Sequence, residues 1–320
     1  MIRKLSVIVP NLTPSHIEAI RKAAVRNDCT VRFMDTPQED RLFLYESEII
    51  FGHLPEVAKN AVKLQWMCTP FAGVDQFTSG DAFANPAAVL TNSSGAYGVT
   101  IAEHTVMLIL EILRRDPEYR KTVAQKEWKR NLPIRSILGS RITFLGTGDI
   151  GRETVKRLKA FSPAAVTGIN RSGRNPENLF SSIAATDRIP EIFPETDILV
   201  ISLPGTKDTF HLVGKEELRY LPDGAVIINV GRGCVIDQAA LSSELLSGRL
   251  FAGLDVFEQE PIPPGDPVWN LPNLVITPHT AGNMTLPYTV DRIVEMFTED
   301  LDNYCAGRPL THLVDTGKGY

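Results

Sequence analysis

Cysteine is scarce in this chain and shows no pattern: Cys29, Cys68, Cys234 and Cys305 are scattered over 320 residues without CxxC spacing. Neither a zinc site nor a disulfide framework is indicated, and a reducing, cytoplasmic compartment is expected. No metal is expected. Apolar runs long enough to cross a bilayer are missing too: the most apolar stretch, residues 106–113, falls well short of the roughly 20 residues required. The first ten residues lead straight into the apolar segment 5–9 without a long hydrophobic region or a small-residue cleavage site, so neither export nor a membrane partner is expected. Positive charge is not in excess, since 33 Lys and Arg face 38 Asp and Glu for a net charge of −5. That balance argues against nucleic acid as a partner. Fixed-period repeats and low-complexity segments are also lacking.

What is there is ordinary for a soluble globular protein: 43% apolar and 22% charged residues, in a chain long enough for two domains. Short β-branched runs alternate with helix-length segments. A first series covers 5–9, 31–34, 49–51 and 64–67; a second and stronger one covers 141–145, 165–169, 198–203, 225–230, 252–255 and 274–276. The second series is nearly all apolar, as parallel strands covered by helices on both faces require. The pattern predicts an α/β protein of two Rossmann-like lobes with doubly wound parallel sheets. Between the series, 100–115 reads as a helix with capping-box spacing at Thr100 and Glu103. Its apolar surface exceeds what one lobe is expected to cover, which places it between lobes or at a subunit interface. A last helix is expected over 290–304.

The segment Gly146-Thr147-Gly148-Asp149-Ile150-Gly151 follows one strand and opens a helix. Glycines at this spacing allow a tight turn and let a pyrophosphate approach the NH groups at a helix N-terminus. Alone the motif is weak; its position within a βα series is what points to a dinucleotide. The next strand ends in Asn170-Arg171-Ser172-Gly173-Arg174, nineteen residues past Gly151. A carboxylate there would bind a ribose 2′-OH, whereas arginine accommodates a 2′-phosphate; the plainer reading is a solvated basic turn.

Further on, three strand ends each deliver a chemically capable side chain: Arg232, Glu260 and His279. Ligands bind outside the carboxyl ends of strands in an open α/β sheet, so the three could converge. Taken singly, each could equally be a surface ion pair, a solvated carboxylate or a capped loop histidine.

These residues resemble the D-isomer-specific 2-hydroxyacid dehydrogenases over almost the whole chain. Ala72-Gly73-Val74-Asp75 resembles that family's substrate-carboxylate loop, and 92–114, with Ala102-Glu103-His104, resembles its crossing into the cofactor domain. The glycine motif, Leu203-Pro204 with Thr206 and Thr209, 229–237, Leu254-Asp255-Val256 through Glu260-Pro261, and Thr277-Pro278-His279 follow in family order. The resemblance implies Arg232, Glu260 and His279 as the catalytic set, with Arg232 holding the substrate's carboxylate and carbonyl, His279 donating a proton and Glu260 orienting the ring. It implies cofactor contacts at Gly146, Gly148, Asp149, Ile150 and Gly151, at Asn170, Arg171, Ser172 and Arg174, and at Leu203, Pro204 and Thr209. Val230, Gly231, Arg232, Asp255, His279, Ala281 and Gly282 complete that expectation. Substrate contacts fall on Ala72, Gly73 and Val74, with His53 and Leu54 beside them.

The sequence departs from the family pattern at Asn170, where many NAD-using members carry an acidic residue, and at Gln238, which replaces a frequent acidic residue after Asp237. A chain of this length is also expected to lack the added regulatory domain of the long phosphoglycerate-pathway members. It is most similar to the NADPH-dependent glyoxylate and hydroxypyruvate reductase branch, which implies NADP rather than NAD as cofactor and a small 2-oxo acid as substrate. Domain bounds of 1–98 with 287–320 for substrate and 99–286 for cofactor follow, as does a homodimer. Two other readings stay open on the same features: a non-enzymatic NAD(P)H-responsive binding protein, and a methyltransferase using another adenosyl cofactor. Elsewhere, His104 reads as a packed residue, and His53 as either pocket-lining or solvated. His16, His211 and His312 lack metal-ligand spacing; Cys234, Trp66, Trp128 and Trp269 read as packing residues.

Overall fold

Both apolar series form parallel strands, each in its own compact unit of the computed structural model, which describes residues 2–175 and 177–317. One unit holds the residues up to Tyr97 together with those from Asn283 onward; the other is Gly98–Gly282. In the first unit, β1 (Arg3–Ile8), β2 (Cys29–Phe33), β3 (Ile49–Gly52), β4 (Trp66–Cys68) and β5 (Val89–Thr91) pair in the order β2-β1-β3-β4-β5. Register sets Leu5 opposite Ile49 and Val7 opposite Phe51, keeping apolar side chains in common layers. Helices α1 (Pro14–Arg26), α2 (Arg41–Tyr45) and α3 (Pro55–Ala58) connect the first strands.

The second unit opens with α4 (Gly98–Leu113) and α5 (Asp116–Ala124) and then builds a seven-stranded sheet. Its strands are β6 (Arg141–Leu145), β7 (Ala165–Ile169), β8 (Ser182–Ala184), β9 (Ile198–Ile201), β10 (Val226–Asn229), β11 (Phe251–Leu254) and β12 (Leu274–Ile276). Helices α6 (Asp149–Leu158), α7 (Ile189–Ile192), α8 (Lys215–Tyr220) and α9 (Gln238–Leu246) lie between them. All pairings are parallel, in the order β12-β11-β10-β9-β6-β7-β8. The chain leaves β6 in one direction for β7 and β8 and returns on its other side at β9. That reversal opens a crevice at the carboxyl ends of β6 and β9. Finally α10 (Pro287–Cys305) returns to the first unit and packs on α1. There Phe297 stacks on Phe51 with centroids 4.0 Å apart and on Trp66 at 5.6 Å, all three fully buried. Each such ring contributes roughly 1.5–3 kcal/mol on burial.

The structure differs from the expectations in several places. Strands β5 and β8 were not foreseen; each is three residues at a sheet edge, too short to show a period. The strands expected to reach 203, 230 and 255 end at Ile201, Asn229 and Leu254, which releases Leu203, Val230 and Asp255 into loops. Helix α4 starts at Gly98, so Thr100 lies within its first turn rather than ahead of it. Packed on α6 and against β10, β11 and β12, α4 is covered on two sides by its own unit. Of the tryptophans, Trp66 is core, but Trp128 is 88% exposed and Trp269 45%. Among the described residues no helix is long and apolar enough to cross a membrane.

Candidate active site

The glycine motif sits where β6 turns into α6, and each glycine has its own physical reason. Gly146 has φ +100°, and a Cβ there would come within 2.9 Å of the Ser202 carbonyl on the loop after β9. A Cβ on Gly151 would lie 2.6 Å from the Gly146 carbonyl. At Gly148 a Cβ would meet nothing within 4 Å, so this glycine leaves the backbone open to an outside group. Two tight crossings and one open approach are what a pyrophosphate cradle needs, and the motif fits a dinucleotide. Asp149 is the first residue of α6 and accepts a hydrogen bond from the backbone NH of Gly98. That hydrogen bond ties the N-termini of α4 and α6 together, while burial pushes the carboxyl above the ordinary range. Ile150 is half-buried beside it.

After β7, the Asn170 amide organises the basic turn. Its Oδ1 accepts from the backbone NH of Ser172 at 3.0 Å and of Gly173 at 2.6 Å, while Nδ2 donates to Thr147 Oγ1 at 2.8 Å and to the Arg174 carbonyl at 3.0 Å. The turn is thereby fastened to the glycine loop. Arg171, Ser172 and Arg174 are exposed on it.

Loops after β9, β10, β11 and β12 bring the remaining candidates to one edge of the same sheet. A Cβ on Gly231 would lie 2.6 Å from the Leu203 carbonyl, and one on Gly233 would overlap the Phe257 backbone at 1.9 Å. Only glycine permits these crossings, and they pack the Arg232 loop against both its neighbours. The buried Asn229 fixes that loop from below, accepting from Gly231 NH at 3.1 Å and donating to the Arg232 carbonyl at 2.9 Å. Arg232 Nη1 donates to the Gly231 carbonyl at 2.9 Å. Val230 is buried, and Thr209 closes the preceding loop by donating to the Pro204 carbonyl at 2.6 Å.

Glu260 and His279 are in direct contact: Nδ1 of the ring lies 2.6 Å from Oε2, while Oε1 accepts from the Phe257 NH at 2.8 Å. With Nδ1 held, Nε2 is the nitrogen left for chemistry. His279 has φ +52°, and its backbone NH donates to the Asp255 carbonyl at 2.8 Å. The Asp255 carboxylate, almost fully buried, accepts from Thr277 Oγ1 at 2.6 Å, Thr280 NH at 2.9 Å and Ala281 NH at 3.0 Å. It pins the loop that carries His279 and leads to Gly282. His104 extends this network from α4, its Nε2 lying 2.9 Å from Thr277 Oγ1; burial holds its pKa below the ordinary value. Asn229, Thr147 and Thr277 are positioning residues that the sequence reading missed. The one available signal was a polar residue closing an apolar strand, as Asn229 closes β10.

In the first unit, Ala72, Gly73 and Val74 follow β4, and His53 and Leu54 follow β3, again at strand carboxyl ends. The loop is anchored by Asn92 Nδ2 donating to the Ala72 carbonyl at 2.8 Å and by the Tyr97 hydroxyl donating to the Pro70 carbonyl at 2.7 Å. His53 Nδ1 lies 2.9 Å from Thr69 Oγ1, with the ring edge-on to Phe71 and Phe77; burial depresses its pKa. His53 and Leu54 line a cavity of about 390 Å³ with Tyr45 and Arg41.

The family model for the D-isomer specific 2-hydroxyacid dehydrogenase NAD binding domain matches residues 106–281, which contain every loop of the second unit described above. A glyoxylate/hydroxypyruvate reductase B of Pectobacterium carotovorum is 32% identical over 81% of this chain and 83% of its own. The crystal structure of a D-isomer specific 2-hydroxyacid dehydrogenase family protein from Aeromonas salmonicida superposes with TM-score 0.87 at 30% identity, covering 99% of this chain and 100% of that one. An NADPH-dependent glyoxylate/hydroxypyruvate reductase from Sinorhizobium meliloti, in complex with NADP and sulfate, does so with TM-score 0.83 at 26% identity, covering 99% and 100%. A motif-matched cofactor cradle, the same architecture end to end and relatives that share it lead to one placement: the chain belongs to the D-isomer specific 2-hydroxyacid dehydrogenase family of oxidoreductases.

Proposed function

We propose that the chain reduces a small 2-oxo acid of the glyoxylate or hydroxypyruvate type to a D-2-hydroxy acid, reversibly, with NADPH preferred over NADH. The observation that carries this reading is the Glu260–His279 hydrogen bond at 2.6 Å, on a loop packed by glycine against that of Arg232. Such a pair is a proton donor with its orienting carboxylate; beside an arginine, it suits a carbonyl next to a carboxylate. NADPH, when bound, supplies the hydride. Gly148 and the α6 N-terminus would hold its pyrophosphate, with Asn170, Arg171, Ser172 and Arg174 at its adenosine end. Arg232 holds the substrate's carboxylate and polarises its carbonyl by the planar fork of its guanidinium. His279 delivers a proton from Nε2 to the developing alkoxide, and Glu260 steadies the imidazolium. The backbone at Ala72, Gly73 and Val74 assists at the carboxylate, with His53 and Leu54 facing the substrate side chain.

In this reading, residues 1–98 with 287–320 serve the substrate and 99–286 the cofactor, in a cytoplasmic homodimer. The NADPH-dependent character of the S. meliloti relative supports the cofactor choice, as does the absence of a carboxylate at Asn170. A panel of 2-oxo acids assayed with NADPH and with NADH tests both parts. Turnover of glyoxylate or hydroxypyruvate, faster with NADPH, is expected; binding of NADPH without turnover of any 2-oxo acid would instead favour a non-enzymatic sensor.

A further inference from the structure

The four cysteines are scattered in sequence, but two of them meet in space. Cys29 opens β2, the edge strand of its sheet, and Cys305 is the last residue of α10. Their Sγ atoms lie 3.9 Å apart although 276 positions separate them in the chain. The segments that carry them are held firmly. Arg26, at the end of α1, donates to both carboxylate oxygens of Asp302 at 2.8 and 2.6 Å, and Asn27 adds a third bond to Asp302 at 2.6 Å. Asp302 stands one helical turn before Cys305. Arg3 lies directly opposite Cys29 in the sheet register, and its Nε donates to Glu48 at 3.1 Å. The Tyr304 hydroxyl reaches the same Glu48 oxygen at 3.1 Å.

We propose that Cys29 and Cys305 form a reversible disulfide, an oxidation-responsive clasp that joins the first edge strand to the last helix, with hydrogen peroxide as oxidant. A disulfide needs the sulfurs about 2 Å closer than they stand. Cys305 is the half-buried member and Cys29 the buried one. The hydrogen bond from the Cys29 thiol, followed by the Arg3 guanidinium, holds the Cys305 thiol below its ordinary pKa. Cys305 is therefore the attacking thiolate. Its sulfur takes one oxygen from the peroxide, giving a sulfenic acid and releasing hydroxide. The Cys29 sulfur then attacks the Cys305 sulfur, the S–OH bond breaks, and the leaving hydroxide takes the Cys29 proton as water. Overall, two thiols are oxidised to one disulfide and one peroxide is reduced to two waters. Cys68 does not compete, since full burial pushes its thiol up to about 12. Cys234 belongs to the other unit, where oxidation would be a separate event. The bridge would close almost the whole chain into a loop, restricting the unfolded state.

The test uses the full chain treated with stoichiometric hydrogen peroxide and then with catalase. The expected result is a fall from four free thiols to two, loss of the mass of two hydrogens, and a mapped peptide joining residues 29 and 305. The melting temperature should rise by several degrees and return after dithiothreitol. In Cys29→Ser, Cys305 should stop at a sulfenic acid that dimedone traps, and neither Cys29→Ser nor Cys305→Ser should show the reversible rise. Over-oxidation of Cys305 without a bridge in the wild type, or a mapped bridge to Cys234 instead, would overturn the proposal. A mapped 29–305 bridge that leaves the melting temperature unchanged would overturn its role as a clasp.

Discussion

At the scale of single residues, the proposed chemistry rests on an imidazole whose two nitrogens have different surroundings. Glu260 holds Nδ1 of His279, so in the proposed reaction proton transfer falls to Nε2. His279→Ala should lose about 100-fold or more in kcat while keeping its NADPH affinity, because general acid catalysis is typically worth that much. Near-normal turnover by a folded variant would remove His279 from the mechanism. His53 makes a different prediction. Burial depresses its pKa below that of the unfolded chain, so the folded state holds fewer protons and His53 adds stability above about pH 6.5 that fades as pH falls through its lower folded value. His104, depressed for the same reason, acts in the same direction. Melting temperatures should therefore drop from about pH 7.5 to about pH 5, and His53→Gln should reduce the slope. A slope unaltered in that variant would show that His53 does not titrate on unfolding.

At the scale of elements, the functional side chains are placed by loops, and the loops are placed by buried polar groups. Asp255 receives three hydrogen bonds from the loop that carries His279. Asp255→Ala strands those donors and should cost about 2–4 kcal/mol, read from denaturant unfolding, together with a fall in kcat. A loss below about 0.5 kcal/mol would mean that water replaces the carboxylate without penalty. Asn170 does the same for the basic turn, using both ends of its amide. Asn170→Asp keeps the acceptors, loses the two donors and adds a charge that repels a phosphate, so the NADPH-over-NADH ratio in kcat/KM should fall. Arg171→Ala should weaken NADPH about ten- to a hundred-fold and NADH much less, since one charge-assisted bond is worth about 1.5–3 kcal/mol. A wild-type ratio below one would reject the NADPH preference; an unchanged ratio in Arg171→Ala would move the phosphate to Arg174.

These elements also show what a sequence makes legible. The β6 and β7 strands and the glycine turn were readable because apolar runs and glycines act locally. The edge strands β5 and β8 were not, being three residues long. Nor was the role of Asp255, whose partners Thr277, Thr280 and Ala281 lie on a loop that meets it only after the sheet has formed. Gly233 illustrates the limit: its need for glycine comes from the Phe257 backbone, more than twenty positions away, and nothing near it in sequence signals that.

At the scale of the whole molecule, the proposed homodimer rests on apolar surface that folding leaves uncovered. Helix α4 buries two sides against α6 and the β10–β12 strands, yet Met107 stays 39% exposed, and Val99, Val106 and Leu110 are half-buried along a remaining face. Spacings of i, i+7, i+8 and i+11 make these four a continuous stripe. A stable interface buries roughly 1,200–2,000 Å² in total, more than one helical stripe provides. The segment between α5 and β6 supplies more, with Trp128 88%, Ile134 48% and Leu138 68% exposed. Contiguous apolar patches on a monomer's surface mark contact sites. A second copy of the chain suits them, because a two-fold axis lets one patch cover its own image. Light scattering at micromolar concentration should give twice the 35.3 kDa of one chain. Met107→Asp and Trp128→Asp change exposed positions, so both variants should fold with the wild-type circular dichroism spectrum and shift toward monomer on dilution. A wild-type monomer would leave these residues to some other contact, and a dimer indifferent to both substitutions would place the two-fold axis elsewhere on the surface.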